Sequence, residues 1–295
     1  MEYILEIESL RKEFVGFKLN DVSFKLPYGS IMGLIGPNGS GKTTLIKLIM
    51  NLVRRTHGEI TIFGKSNLKN EIEIKSRIGF VYDNLIAYDH LNINQMKSII
   101  APFYKKWNND CFYNYIKIFE LSLKQKIKTF SRGMRLKFAL AIALSHDADL
   151  IIMDEPTSGL DPVFRRELLE ILSNLISDKN KSILFSTHIT SDLEQIADYV
   201  TFINKGDLVF SKTTNDILKN YGIISGDKEL LNIQDKFDFC GYTKTQKGVE
   251  VLIDNFDEAR IRLKNFKEIS YKHANLEDIM YFINKKNKNN DYINN

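Results

Sequence analysis

Short, continuous apolar runs alternate with amphipathic segments along most of this chain. Residues 3–8 and 21–26 read as strands, and "SIMGLIG" at 30–36 is an apolar strand running into a glycine-rich loop. "KTTLIKLIMNLV" at 42–53 predicts a helix with Leu45, Ile49 and Leu52 on one face. "GEITIF" at 58–63 and "RIGFV" at 77–81 read as further strands. From about 84 to 148 the period becomes helical: Phe112, Ile116 and Phe119 share one face, and Leu136, Leu140 and Leu144 another. "LIIM" at 150–153 and "SILFS" at 182–186 are uninterrupted apolar runs of the kind that parallel strands buried on both faces require. An amphipathic helix, "RRELLEILSNLI" at 165–176, separates them, and 199–210 reads as a hairpin turning at Asn204-Lys205-Gly206. Strands alternating with helices, around a helical insert, predict an α/β domain with a mostly parallel sheet.

The texture changes after about residue 220. Two strands flank a Lys-Gly turn in "KFDFCGYTKTQKGVEVLID", and "FDEARIRLKNF" and "NLEDIMYFINK" read as helices. The pattern predicts a main domain at 1–220, with its helical subdomain at about 84–148, and a small α+β appendage at 221–295. The Asn/Lys-rich tail 284–295 is expected to be a frayed, solvated end.

Within this frame one motif carries phosphate chemistry. Gly36, Pro37, Asn38, Gly39, Ser40, Gly41, Lys42 and Thr43 match G-x-x-x-x-G-K-[ST] in full, after a predicted strand and at the start of a predicted helix. Glycines let successive backbone N–H groups face phosphate oxygens, and the helix N-terminus adds a partial positive charge. Lys42 is placed to reach the β and γ phosphates, Thr43 to offer its hydroxyl to Mg²⁺, and Thr44 to help at the α phosphate. About 110 residues on, "LIIMDEPTSGLDP" puts Asp154 and Glu155 at the end of a buried strand, the edge where open α/β sheets bind ligands. Two adjacent acids are either a solvated turn or a catalytic pair. With the phosphate loop upstream, the expected roles are Mg²⁺ binding for Asp154 and general base for Glu155.

Composition narrows the choice. The chain has 295 residues, 43% of them hydrophobic, enough for a large core. Lys+Arg number 41 against 37 Asp+Glu, a net charge of only +4 with the basic residues scattered, so no nucleic-acid partner is expected. The five histidines do not cluster, and the two cysteines, Cys111 and Cys240, have no metal or redox spacing and fit a reducing compartment. No apolar run approaches the ~18–20 residues of a spanning helix. Acids among the first ten residues do not suit a secretory signal. Any membrane role is therefore expected to pass through a separate subunit.

The phosphate loop, the LIIMDE strand end, "SGLD" at 158–161 and "STH" at 186–188, in this order, resemble the ATP-binding subunit of an ABC transporter over roughly residues 1–215. The resemblance implies a P-loop NTPase fold with an N-terminal antiparallel β subdomain, ATP and Mg²⁺ as cofactors, and ATP hydrolysis coupled to transport. It further implies an ATP-dependent dimer, homo- or heterodimeric, acting on an integral membrane permease from the cytoplasmic face of the membrane. Carried over residue by residue, it makes Phe14 the adenine-stacking ring, with Phe17 as runner-up, and His188 the contact to the γ phosphate. Asp161 becomes part of the loop that touches the opposite subunit. "FSRGM" at 130–134 stands where the family has Leu-Ser-Gly-Gly-Gln, so Ser131 and Gly133 are expected on the nucleotide of the other subunit, while Arg132 and Met134 depart from the pattern. Ser131 equally suits the N-cap of a helix. Asp83 replaces a glutamine that contacts Mg²⁺, and either binds the metal or only turns its loop; Ile86 to Leu91 are expected to meet the permease.

Several features most resemble a Gram-positive branch of ABC-2-type exporters that includes YtrB-like and phenol-soluble-modulin exporter ATPases. That branch is linked to antimicrobial and cytolytic peptides. Two other readings stay open: a degenerate ATP-binding partner in a heterodimer, and a non-transport ABC ATPase.

Overall fold

The computed structural model describes residues 2–82, 88–176, 181–231, 239–246, 248–264 and 269–293, the last eight of these by backbone alone. The chain divides into two compact units, Met1–Ser211 and Lys212–Asn295. The break comes ahead of residue 220, because the helix Thr214–Asn220 belongs to the second unit.

The first unit begins with β1 (Tyr3–Phe14), β2 (Phe17–Pro27) and β3 (Ile31–Ile35), which feeds the glycine-rich loop and α1 (Lys42–Ile49). Next come β4 (His57–Ile62), β5 (Lys65–Ser66), α2 (Glu71–Lys75) and β6 (Ile78–Val81). Helices α3 (Ile93–Ile100), α4 (Asn109–Ile118) and α5 (Arg132–Leu144) form the insert. The chain returns through β7 (Leu150–Asp154), α6 (Pro162–Ile176), β8 (Ser182–Thr187), α7 (Thr190–Ile196), β9 (Tyr199–Asn204) and β10 (Asp207–Thr213).

Among the described residues, ten strands join in the order β5-β4-β1-β2-β10-β9-β3-β8-β7-β6. The β4, β1 and β2 portion is antiparallel, whereas β9, β3, β8, β7 and β6 run parallel. Every residue of β3, β7 and β8 is buried, which explains their unbroken apolar runs. In the insert, Phe138 stands edge-on to both Phe112 and Phe130, with ring centroids 6.4 and 6.2 Å away, and fixes α5 on α4.

Helix α1 ends earlier than the pattern predicts. Asn51 adopts a left-handed φ of 51°, and the Leu52 N–H bonds back to the Lys47 carbonyl, closing the helix after Ile49. Leu52 consequently lies outside the apolar face and is 55% exposed.

The second unit contains α8 (Thr214–Asn220), β11 (Gly222–Gly226), β12 (Phe239–Thr245), β13 (Gly248–Ile253), α9 (Phe256–Arg262), β14 (Ser270–His273) and α10 (Leu276–Ile293). Its described strands make an antiparallel sheet in the order β12-β13-β11-β14, around a core that includes Ile224, Val251 and Phe256. β11 and β14 were not apparent in the sequence pattern. Lys247 of the anticipated Lys-Gly turn lies outside the described residues. With no Gly or Pro to stop it, the helix begun at Leu276 runs to Ile293.

Candidate active site

Strand order builds the site. β8 lies between β3 and β7, all three parallel, with Ile35 opposite Thr187 and Asp154 opposite Ser186. Their C-terminal ends therefore deliver the 36–43 loop, the Asp154-Glu155 pair and His188 to one sheet edge. The loop packs too closely for a side chain at its start: a Cβ on Gly36 would stand 2.1 Å from the Ile203 carbonyl oxygen.

Lys42 is the buried cation of this edge, 6% exposed. Its ammonium donates to the carbonyls of Gly36 at 2.8 Å and Pro37 at 3.3 Å, and lies 3.4 Å from Glu155 Oε1. These contacts hold it against the loop. Asp154 is also buried. It accepts the Ser186 hydroxyl at 2.6 Å and the Thr43 hydroxyl at 3.2 Å, both on Oδ1. Ser186 in turn accepts the Glu155 N–H at 2.9 Å. One hydroxyl thus fixes both acids, a role the sequence did not indicate.

Glu155 takes a left-handed φ of 50° directly after β7. Adjacent residues of a strand point to opposite faces, and this twist breaks the alternation so that Glu155 reaches Lys42 and His188. Such a conformation costs about 1–3 kcal/mol in a non-glycine residue and recurs at functional sites. His188 Nδ1 lies 2.7 Å from Glu155 Oε2.

These groups surround a cavity of about 520 Å³ lined by the 38–44 loop, Phe17, Arg132, Glu155, Ser158 and His188. The Ser40 hydroxyl, buried in the loop, has no hydrogen-bond partner among the described residues and is available to an anion. Phe17 rather than Phe14 forms the aromatic wall. Phe14 lies one ring away, at a centroid distance of 6.5 Å, and is 46% exposed.

The Thr43 hydroxyl and the Asp154 carboxylate, 3.2 Å apart, suit a hard divalent cation that completes its shell with water and phosphate oxygens. Among the described residues no cluster of three or more His, Cys, Asp or Glu could hold a metal by itself. Asp83 lies outside the described residues, as do Ile86 and Ala87 of the expected permease contact.

Ser131, Gly133 and Asp161 are among the predicted residues that stand apart from this cavity's lining. Ser131 caps α5, its hydroxyl accepting the Met134 N–H at 3.2 Å, and Gly133 sits in the first turn. Asp161 accepts the N–H groups of Val163 and Phe164 at 3.1 and 2.9 Å, at the start of α6. Asp89 ties the chain after residue 88 to α5, accepting both terminal nitrogens of Arg135 at 3.2 Å.

A phosphate loop at the C-terminal edge of a parallel sheet, with a buried Lys and an Asp-Glu pair, defines a P-loop nucleoside triphosphatase. Comparison with known proteins sharpens that class. The family model described as ABC transporter matches residues 19–158. The chain is 32% identical over 262 residues to the bacitracin transport ATP-binding protein BcrA of Bacillus licheniformis, covering 84% of each. It is 33% identical over 222 residues to the lantibiotic transport ATP-binding protein SrtF of Streptococcus pyogenes, covering 71% of this chain and 90% of that one. A solved ATP-binding subunit of an ABC transporter superposes with a TM-score of 0.67 at 28% identity, over 73% of this chain and 92% of its own. A dimeric ATP-binding cassette in a post-hydrolysis state with ADP and Pi shares the fold, with a TM-score of 0.64 at 20% identity, over 71% and 98%. The chain belongs to the ABC transporter family as an ATP-binding subunit, and it is an ATPase.

Proposed function

We propose that this chain is the ATP-driven motor of an exporter for antimicrobial peptides, working at the cytoplasmic face of the membrane through a separate permease. The convergence of Lys42, Glu155 and His188 on one cavity, with Asp154 held against Thr43 of the same loop, carries the motor half of this reading. The export half is supported by relatives named for bacitracin and lantibiotic transport. No helix among the described residues is long and apolar enough to cross a membrane, in keeping with a permease on another chain.

In this reading the 38–44 backbone and Lys42 bind the phosphates, and the base stacks on the Phe14–Phe17 pair with Phe17 nearest the loop. Thr43 and Asp154 would hold Mg²⁺, which would supply charge neutralisation to the phosphates. Glu155 accepts the proton of the attacking water, and His188 orients Glu155 and contacts the γ phosphate. Asp83 would extend this set toward the helical insert. Ser131, Gly133 and Asp161 serve the nucleotide of a second ATPase subunit, identical or not, with the N-terminus of α5 as the anion-binding element. Lys212–Asn295 is an accessory domain.

Light scattering of Glu155→Gln with ATP and Mg²⁺ tests this reading. A stable ATP-bound dimer is expected, because closure precedes hydrolysis; a monomer at every ATP concentration contradicts it.

A further inference from the structure

We propose that Arg165 and Asp192 form a positioning pair that sets His188 against Glu155, and so govern the hydrolytic step without touching the nucleotide. This rests on the reading of His188 as the group that orients Glu155.

His188 needs support from outside the cavity. Its side chain is nearly half exposed, and among the described residues its polar partner is Glu155 alone. The place of the imidazole is therefore set by its backbone, which lies between the end of β8 and the start of α7. Helix α7 is seven residues long, and no side chain caps its N-terminus. Two contacts seat it. Leu193 lies on β3 at Gly33, where a Cβ would stand 2.3 Å from Leu193 Cδ2. Asp192, four residues after His188, is buried and takes Arg165 Nε at 2.7 Å and Nη2 at 2.5 Å on one oxygen.

The two contacts do different things. Apolar packing at Leu193 holds α7 on the sheet, but it is non-directional and leaves the helix free to turn about its axis. The guanidinium fork is directional and fixes that rotation. Arg165 is itself anchored in the first turn of α6, where its N–H donates to the Asp161 carbonyl at 3.0 Å. Its Nη2 also donates to the Ser191 hydroxyl at 3.0 Å. One side chain thus spans from the 158–161 turn to the helix behind His188. The other oxygen of Asp192 is buried with no hydrogen-bond partner among the described residues, so the carboxylate relies on Arg165. Stability alone does not call for such a pair, since well-packed apolar residues in place of a buried ion pair are often as stable. What the pair adds is a fixed orientation for the segment that carries His188.

The test is ATPase kinetics of the full chain, with each variant made alone and together with His188→Ala. Asp192→Asn keeps the shape and the acceptor oxygen but loses the charge. Arg165→Lys keeps the charge but loses the fork. Each is expected to lower kcat about tenfold and to leave ATP affinity within about twofold, since the pair acts on geometry and not on binding. In the His188→Ala background the same changes should cost less than about twofold, because the group they position is gone. Arg165→Met combined with Asp192→Leu guards against a loss of fold. This apolar pair is expected to melt near the wild-type temperature and still show the kcat loss and its dependence on His188. Unchanged kcat, equal kcat losses with and without His188, or a loss confined to ATP affinity would overturn the proposal. If His188→Ala itself leaves kcat unchanged, the role given to His188 fails first and takes the proposal with it.

Discussion

Glu155 and His188 are joined side chain to side chain, with the imidazole Nδ1 2.7 Å from one carboxylate oxygen and Lys42 Nζ 3.4 Å from the other. A carboxylate held at both oxygens cannot rotate freely, so its orientation toward an attacking water is set by the two partners. His188→Ala removes one of them. It is expected to lower kcat by about 10²-fold or more, the scale of a positioned acid–base group, while the KM for ATP changes little. Steady-state ATPase kinetics separate the two parameters.

Ser186 is a second point of control. It donates to Asp154 and accepts from the Glu155 N–H, so Ser186→Ala leaves a buried carboxylate short of a donor. A loss of about 1–3 kcal/mol in stability is expected, together with a higher Mg²⁺ requirement. Chemical denaturation and a Mg²⁺ titration of the ATPase rate check the two effects.

The aromatic wall gives a comparison of two variants. Phe17 lines the cavity and Phe14 lies outside it. Phe17→Ala should weaken ATP and ADP alike, by about 1 kcal/mol for a lost stacking surface, and Phe14→Ala should do less. Fluorescence binding of both nucleotides to both variants decides which ring meets the base.

His146 links pH to stability. It is buried, stacks on Tyr104 with ring centroids 3.9 Å apart, and has no partner for either ring nitrogen among the described residues. Burial pushes its pKa down to about 4 from an ordinary 6.5. A histidine with a depressed folded-state pKa binds its proton more readily when unfolded. Its effect is therefore small above pH 6.5, and stability falls as pH drops from about 6.5 to about 4. The loss is on the order of 3 kcal/mol at most, from the two pKa values. His146→Phe keeps the stack and should flatten that part of the stability–pH curve, as denaturation midpoints at pH 7 and pH 5 would show.

The parts of the fold legible in the sequence are those set by contiguous residues. The 36–43 loop and the apolar runs of β3, β7 and β8 are local signals, and parallel pairing brings them to one edge. Contacts far apart in sequence were not legible. Phe14 and Phe17 pair directly across the β1–β2 turn, and only the folded position of the 38–44 loop makes Phe17 the one that lines the cavity. The Ser186 hydroxyl gained its place only because Ser186 lies opposite Asp154 across two strands. The approach of Arg132 to Gly159 in the 158–161 turn is likewise a long-range contact that no local pattern shows. In the second unit, β11 is a short glycine-bounded run and β14 spans only Ser270–His273, too few residues to show a period.

The central claim is that Lys42, Asp154, Glu155 and His188 of this one chain form a hydrolytic site and not merely a binding site. Single-turnover hydrolysis of γ-labelled ATP by the purified chain, beside Glu155→Gln, tests it most directly. The account predicts phosphate release by the wild-type chain and a rate lower by at least about 10²-fold for the variant, with ATP still bound. Equal rates for the two proteins, or no release by the wild-type chain with ATP fully bound, would contradict it.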